Sequence, residues 1–246
     1  MFLVFLVYGF LLFCPELAHH TITYYISQMT NIDSIYSILS REFKKHRMPI
    51  VDLIEVQTND PYKVLVATIL SARTKDQTTS AASARLFAKA GSLNQLASLT
   101  VKEIEKLIFP VGFYSNKAKF LKALPGEIEK QFKGKIPETV DELVLLPGVG
   151  RKTANLVVAM AFHKPAVCVD VHVHRICNRL GYVKTDTPFD TEMALREKLP
   201  QKYWIMINSY LVSFGQHLCF PINPRCDICP IIKFCRRVGV KTRYSA

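Results

Sequence analysis

Along most of this chain, apolar residues recur every three or four positions behind a helix-start signal. Asp60-Pro61 opens a helix carrying Val64, Leu65, Ala67, Ile69 and Leu70, and Asp76 begins another that runs to Lys89. Thr100 with Glu103 forms a capping box ahead of Ile104 and Leu107. Ser115 starts a long segment that Pro125 should kink or divide. Thr139 leads into Leu143 and Leu146, and Thr187-Pro188 into a helix that ends before Pro200. Further helices fit Ile32 to Lys45, the stretch after Gly150, the stretch after Asp170, and Lys202 to Gln216. The total is about ten helices. No hairpin strands are predicted, and Ala166 to Val169 reads as a short extended linker. The predicted fold class is all-α.

Residues 2–13 are an uninterrupted apolar run. A membrane-spanning helix needs about twenty such residues, so an anchor is not expected. A secretory signal would need a basic start and a small-residue cleavage site. No Lys or Arg precedes Arg41, and the run ends in Cys14, Pro15 and Glu16. The expectation is that 1–28 is a non-native or upstream extension and that the working protein starts at Met29. That protein would carry 32 bases against 19 acids.

With 49% hydrophobic and 21% charged residues, a disordered or low-complexity chain is excluded. The balance of 32 Lys and Arg against 20 Asp and Glu gives +12 and a pI near 9.4. Such an excess favours a polyanionic partner, nucleic acid ahead of an anionic membrane. Of seven cysteines, four fall between Cys219 and Cys235. An odd count clustered in this way argues for a metal or cluster site in a reducing cytosol rather than a disulfide framework.

Residues 143–154 read Leu-Val-Leu-Leu-Pro-Gly-Val-Gly-Arg-Lys-Thr-Ala. Gly148 and Gly150 permit positive φ and close backbone approach. The helix that follows presents unpaired N–H groups and a positive dipole end to an anion. Val149 can plug inward, and Ala154 allows the two helices to approach. An ordinary turn between helices is the alternative for Gly-x-Gly taken alone. With its apolar frame, the segment resembles the helix-hairpin-helix motif of the endonuclease III family of DNA glycosylases.

Arg151 and Lys152 place two cations at the unfavourable end of the second hairpin helix. A solvated surface lysine is the bland alternative for Lys152. Partial burial and the dipole would instead lower its pKa and supply a neutral amine. From Lys152 to His163 a helix travels about 17 Å, and an extended Lys164–Val169 returns about 20 Å. Asp170 can therefore lie beside Lys152, where it can also serve as a helix N-cap. Val169-Asp170-Val171-His172-Val173-His174-Arg175 resembles the family's aspartate segment. The resemblance implies that Lys152 forms the Schiff base at C1′ and that Asp170 is the assisting carboxylate, with β-elimination following. His172 and His174 point to different helix faces, which favours packing over a shared metal site.

Cys219-x6-Cys226-x2-Cys229-x5-Cys235 has four thiols in one loop, suited to zinc or to a [4Fe–4S] cluster. Only one Cys-x-x-Cys hook is present, which leans toward the cluster. The spacing also resembles the family's C-terminal cluster loop, which implies a [4Fe–4S] cofactor. Cys14, Cys168 and Cys177 lie outside the pattern and read as inert thiols. From Gln216 onward there are six Lys or Arg residues and one acid, a surface suited to phosphates.

The resemblance covers Ile32 to Val240. Leu70-Ser71-Ala72-Arg73-Thr74-Lys75-Asp76 is similar to the loop that enters the gap left by a flipped base, with Arg73 where bacterial relatives usually carry glutamine. Arginine donates several hydrogen bonds and accepts none, so recognition of the orphaned base would differ. Val111-Gly112-Phe113-Tyr114 resembles the wedge turn, with Phe113 where leucine is common; a buried aromatic anchor is the other reading of Phe113. Lys117 and Lys119 suit phosphate contacts or a solvated helix face.

The resemblance implies two helical lobes with DNA in the cleft between them. One is a six-helix barrel at 54–164 with the helix-hairpin-helix. The other is a cluster lobe built from 30–53 and 165–240. The implied enzyme is a bifunctional DNA glycosylase/AP lyase of base excision repair that acts on oxidised pyrimidines. Its partner would be double-stranded DNA with damaged bases or abasic sites, bound by a cytoplasmic, nucleoid-associated monomer with no membrane contact. Gly148, Val149, Gly150, Arg151, Arg73 and Phe113 are the candidate DNA contacts. The alternatives are a thymine or uracil mismatch glycosylase and a non-catalytic DNA-binding iron–sulfur protein.

Overall fold

The computed structural model describes residues 32–46 and 48–241, so the proposed extension at 1–28 and Cys14 lie outside the described residues. Twelve α-helices make up the described chain, which contains no strand. They are α1 (32–43), α2 (Ile50–Thr58), α3 (Pro61–Ser71), α4 (Asp76–Lys89), α5 (Leu93–Ser98) and α6 (Val101–Ile108). Then follow α7 (Tyr114–Phe132), α8 (Val140–Leu143), α9 (Arg151–Phe162), α10 (Val171–Leu180), α11 (Pro188–Lys198) and α12 (Trp204–His217). No described helix is long and apolar enough to cross a membrane.

Four of the start signals read from the sequence act as caps, whereas Asp76 and Ser115 lie within helices whose N-caps, Lys75 and Phe113, make no side-chain cap bond. Asp60 accepts from Tyr62 N–H, Thr139 from Glu142 N–H and Thr187 from Asp190 N–H. Thr100 and Glu103 satisfy each other's backbone donors in a complete capping box. Two helices were not anticipated. Pro49 precedes α2 without any side-chain cap, and α5 has one buried residue, Leu96, so neither carries a strong local pattern. Pro125 does not divide α7, which runs nineteen residues. It lies on the same buried stripe as Leu121, Leu124 and Ile128, so packing on both sides offsets the one hydrogen bond that proline removes. Ala166 to Val169 is buried and extended but pairs with no strand.

Two main cores follow from this order. α3 is buried all round, as expected of a central helix, and gathers Leu86, Ile104, Leu121, Leu143 and Val157 around it. A second core joins Ile35 and Leu39 of α1 to Ile176, Leu195, Leu211 and Phe214. The chain thus leaves the second core after α1, builds the first, and returns along 163–170. Ile50 and Val51 of α2 pack against Val64 and Leu156.

Candidate functional site

The hairpin is built as its glycines suggest, with one difference. Gly148 has φ +78, and a Cβ there would meet Phe120 at 2.8 Å, so only glycine fits. Gly150 is extended instead, the N-cap of α9 without a side-chain cap, and a Cβ on it would meet nothing within 4 Å. Val149 is buried, plugging the turn.

The two first-turn cations of α9 separate. Arg151 reaches across to Glu192 with three hydrogen bonds of 2.9–3.2 Å and lies over the Phe189 ring. Glu192 is buried and also holds Arg196. The Arg151 guanidinium, still 41% exposed, is thus paired with Glu192, and its backbone N–H remains in the turn. Lys152 is exposed, not partly buried as expected.

Lys152 lines an open cleft of about 550 Å³ together with Asp170. α9 ends at His163, in the left-handed region, and the extended 163–170 brings the chain back to this cleft. Asp170 N-caps α10, with Oδ1 accepting from His172 N–H at 2.8 Å and Val173 N–H at 2.9 Å. Both bonds go to one oxygen, so Oδ2 is outside the cap. The buried Cys168 thiol donates to the Lys152 backbone carbonyl at 3.6 Å. Burial pushes that thiol up to about 12, the Lys152 charge opposing and the Asp170 charge adding. Cys177 is likewise buried and raised to about 12, so neither thiol is reactive.

Several further residues lie in or near the cleft. His172 is half-buried beside Asp170, its Nδ1 at 3.0 Å from Arg175, and burial lowers its pKa while the Asp170 charge resists. His174 packs on Thr191 at 2.7 Å, as expected for a packing histidine. Asp52 is 4% exposed, with Oδ2 unpartnered among the described residues. Burial, with lesser contributions from Asp76 and Glu55, raises its carboxyl to about 7; the nearby Ser209 hydroxyl pulls it back without a well-formed hydrogen bond. Asn208, Val212 and Gln216 line the cleft from one face of α12 at four-residue spacing. Only the tertiary arrangement assembles these groups.

At the rim, Arg73 and Phe113 are both exposed, with the Arg73 guanidinium 5.4 Å from the Phe113 ring centre. The buried-anchor alternative for Phe113 is thereby excluded, since its ring is 59% exposed. Lys117 is neither a phosphate contact nor on a solvated face, being 6% exposed beneath these loops. Lys119 is exposed.

The four loop cysteines line one apolar cavity walled by Ile176, Leu180, Phe214 and Leu218. Burial pushes the Cys229 thiol up to about 11 and raises Cys226 and Cys235 as well. Arg179 donates to Cys219 Sγ at 3.3 Å and to the carbonyls of Phe220 and Pro221. Arg236 and Val238 N–H groups pin the end of the loop to α10. Among the described residues no three His, Cys, Asp or Glu side chains gather around a single-ion position. The four thiols line a shared apolar space, a donor set of the kind that holds a [4Fe–4S] cluster or zinc.

Residues 66–201 match the family described as "HhH-GPD superfamily base excision DNA repair protein". Endonuclease III of Thermotoga maritima is 44% identical over 176 residues, covering 72% of this chain and 83% of that protein. The chain belongs to the endonuclease III family. Endonuclease III-like protein 1 of Gallus gallus is 42% identical over 211 residues, covering 78% of this chain and 75% of that protein. A solved non-covalent endonuclease III–DNA complex superimposes with a TM-score of 0.75 at 32% identity, covering 85% of this chain and 95% of that one. As a member of this family, the protein is a base excision repair DNA glycosylase with AP lyase activity, and the non-catalytic reading falls.

Proposed function

We propose that this enzyme removes oxidised pyrimidines from duplex DNA with Lys152 as nucleophile and Asp170 as its assisting carboxylate. The observation that carries the reading is the placement of both side chains on one open cleft, with Asp170 held by two backbone bonds. Lys152 Nζ attacks C1′, and the base leaves with the electrons of the glycosidic bond. Asp170 Oδ2, outside the cap, takes the amine proton and faces the positive charge that develops at the sugar. After ring opening the sugar is joined to Lys152 as an iminium, which acidifies the C2′ proton. Loss of that proton expels the 3′ phosphate by β-elimination.

DNA would lie across the cleft between the two helical lobes, with the barrel on one side and the cluster lobe on the other. Gly148, Val149, Gly150 and the Arg151 N–H would receive a backbone phosphate at the start of α9. Arg73 and Phe113 would enter the space vacated by the flipped nucleotide. Cys219, Cys226, Cys229 and Cys235 would hold a [4Fe–4S] cluster, which contributes structure to a basic DNA-facing loop and takes no part in bond breaking. Support for the cluster comes from the four thiols around one apolar cavity and the two arginines against Cys219.

The test is borohydride reduction during incubation with a duplex that contains thymine glycol. A covalent protein–DNA adduct that Lys152→Ala abolishes is expected. An adduct with an abasic site but none with thymine glycol would retain Lys152 and overturn the choice of base. No adduct with either would overturn the imine mechanism.

A further inference from the structure

The loops carrying Arg73 and Phe113 are distant in sequence, yet one buried lysine joins them. Residues 72–75 link α3 to α4, and residues 109–113 link α6 to α7. Lys117, in the first turn of α7, sits beneath both. Its Nζ donates to the Leu70 carbonyl at 2.8 Å, the Ala72 carbonyl at 2.6 Å and Thr74 Oγ1 at 3.3 Å. Thr74 Oγ1 in turn accepts from the Gly112 N–H at 3.1 Å. The two backbones touch there, since a Cβ on Gly112 would stand 2.5 Å from the Arg73 carbonyl oxygen. No carboxylate pairs with Lys117 among the described residues, and burial lowers its pKa to about 8. An unpaired ammonium is costly to bury, and here the loop oxygens are what compensates it.

Above this anchor, Arg73 and Phe113 both hold left-handed backbone conformations, φ 53 and φ 59. Non-glycine residues rarely stay there unless their surroundings impose it. The imposed conformations place the guanidinium over the aromatic ring, both exposed to solvent.

We propose that Lys117 is a positioning residue that sets Arg73 and Phe113 as one preassembled wedge for opening the base pair. The proposal rests on the reading of Arg73 and Phe113 as the residues that enter the duplex. Lys117 itself touches neither substrate nor Lys152. Its removal should therefore impair base-pair opening and leave the imine chemistry intact.

The experiment uses the full chain with its cluster and compares two substrates. One is a thymine glycol duplex with 2-aminopurine beside the lesion as an unstacking probe; the other is a single-stranded oligonucleotide with an abasic site. For Lys117→Met, single-turnover excision from the duplex is expected to fall roughly 10- to 100-fold, the range that small misplacements cost. The 2-aminopurine signal should fall with it, while borohydride trapping on the single strand stays at the wild-type level. Thr74→Val, which removes the oxygen shared by Lys117 and Gly112, should act in the same direction more weakly and stands in if Lys117→Met does not fold. Equal losses on both substrates, or undiminished duplex excision, would overturn the positioning role. The double variant Arg73→Ala/Phe113→Ala separates the two ideas: normal base opening in it would remove the wedge reading itself. Impaired opening there with normal opening in Lys117→Met would remove only the role of Lys117.

Discussion

Two helix N-termini face the same cleft and are finished in opposite ways. α9 begins at Gly150 with no side-chain cap, room for a Cβ on that glycine and an exposed Lys152 in its first turn. α10 begins at Asp170, whose side chain consumes two of the free N–H groups. An open start keeps its donors and dipole for an incoming anion, whereas a capped start spends them on holding a carboxylate still. On the proposed reading, one helix start would receive a phosphate and the other would fix a reacting group. The cation and the anion proposed for the chemistry come from different helices, positioned by different means.

The largest expected effect breaks the open end chemically. Lys152→Ala should reduce strand cleavage at an abasic site by at least about 1,000-fold, measured in single turnover, with DNA affinity far less affected. The capped end separates into two functions. Asn is as good an N-cap as Asp, so Asp170→Asn should keep the melting temperature and lose about 100- to 10,000-fold in activity. Asp170→Ala should lose comparable activity and also about 1 kcal/mol of stability in denaturant titrations. Comparable melting of the two variants would mean that the cap contributes nothing.

Asp52 tests the cleft away from both helix starts. Its folded pKa of about 7 exceeds the ordinary 3.8, so the unfolded chain gives up the proton first as pH rises. Stability is thereby lost between about pH 4 and 7, and Asp52→Asn should remove that loss. Thermal melts should show the variant gaining on wild type across this window, by a few kcal/mol at pH 8 and little at pH 4. A constant difference at all pH values would contradict a buried neutral carboxyl.

The smallest effects distinguish the two hairpin glycines. Gly148→Ala must hold a left-handed φ against Phe120 and should cost about 1–2 kcal/mol or more of stability. Gly150→Ala has neither strain nor a clash, so stability should hold while DNA binding weakens, read as a higher Kd on duplex. A destabilised Gly150→Ala with unchanged Kd would assign that glycine to the fold and not to the phosphate.

Much of this arrangement was legible in the chain because the forces concerned are local. A cap joins residues two or three positions apart, so Asp60, Thr100, Thr139, Asp170 and Thr187 announce their helices. The hairpin glycines and the four cysteines are likewise set by spacing within one segment. α2 has no side-chain cap, and α5, though capped by Ser92, buries a single residue, so neither carries a long apolar pattern; Pro125 stays within its helix because its cost is offset by packing on a stripe with Leu121 and Ile128.

What the tertiary structure alone decided concerns partners far apart in sequence. Arg151 and Lys152 are adjacent cations on paper; only the approach of α11 gives one of them to Glu192 and leaves the other facing the cleft. Lys117 and Lys119 are equally indistinguishable until the loop after α3 folds over one of them. Asp52 acquires its raised pKa from being enclosed, Asp76 and Glu55 adding to it. Burial and pairing of a charge depend on what the rest of the chain brings to it, and desolvation acts over that assembled surrounding rather than along the sequence.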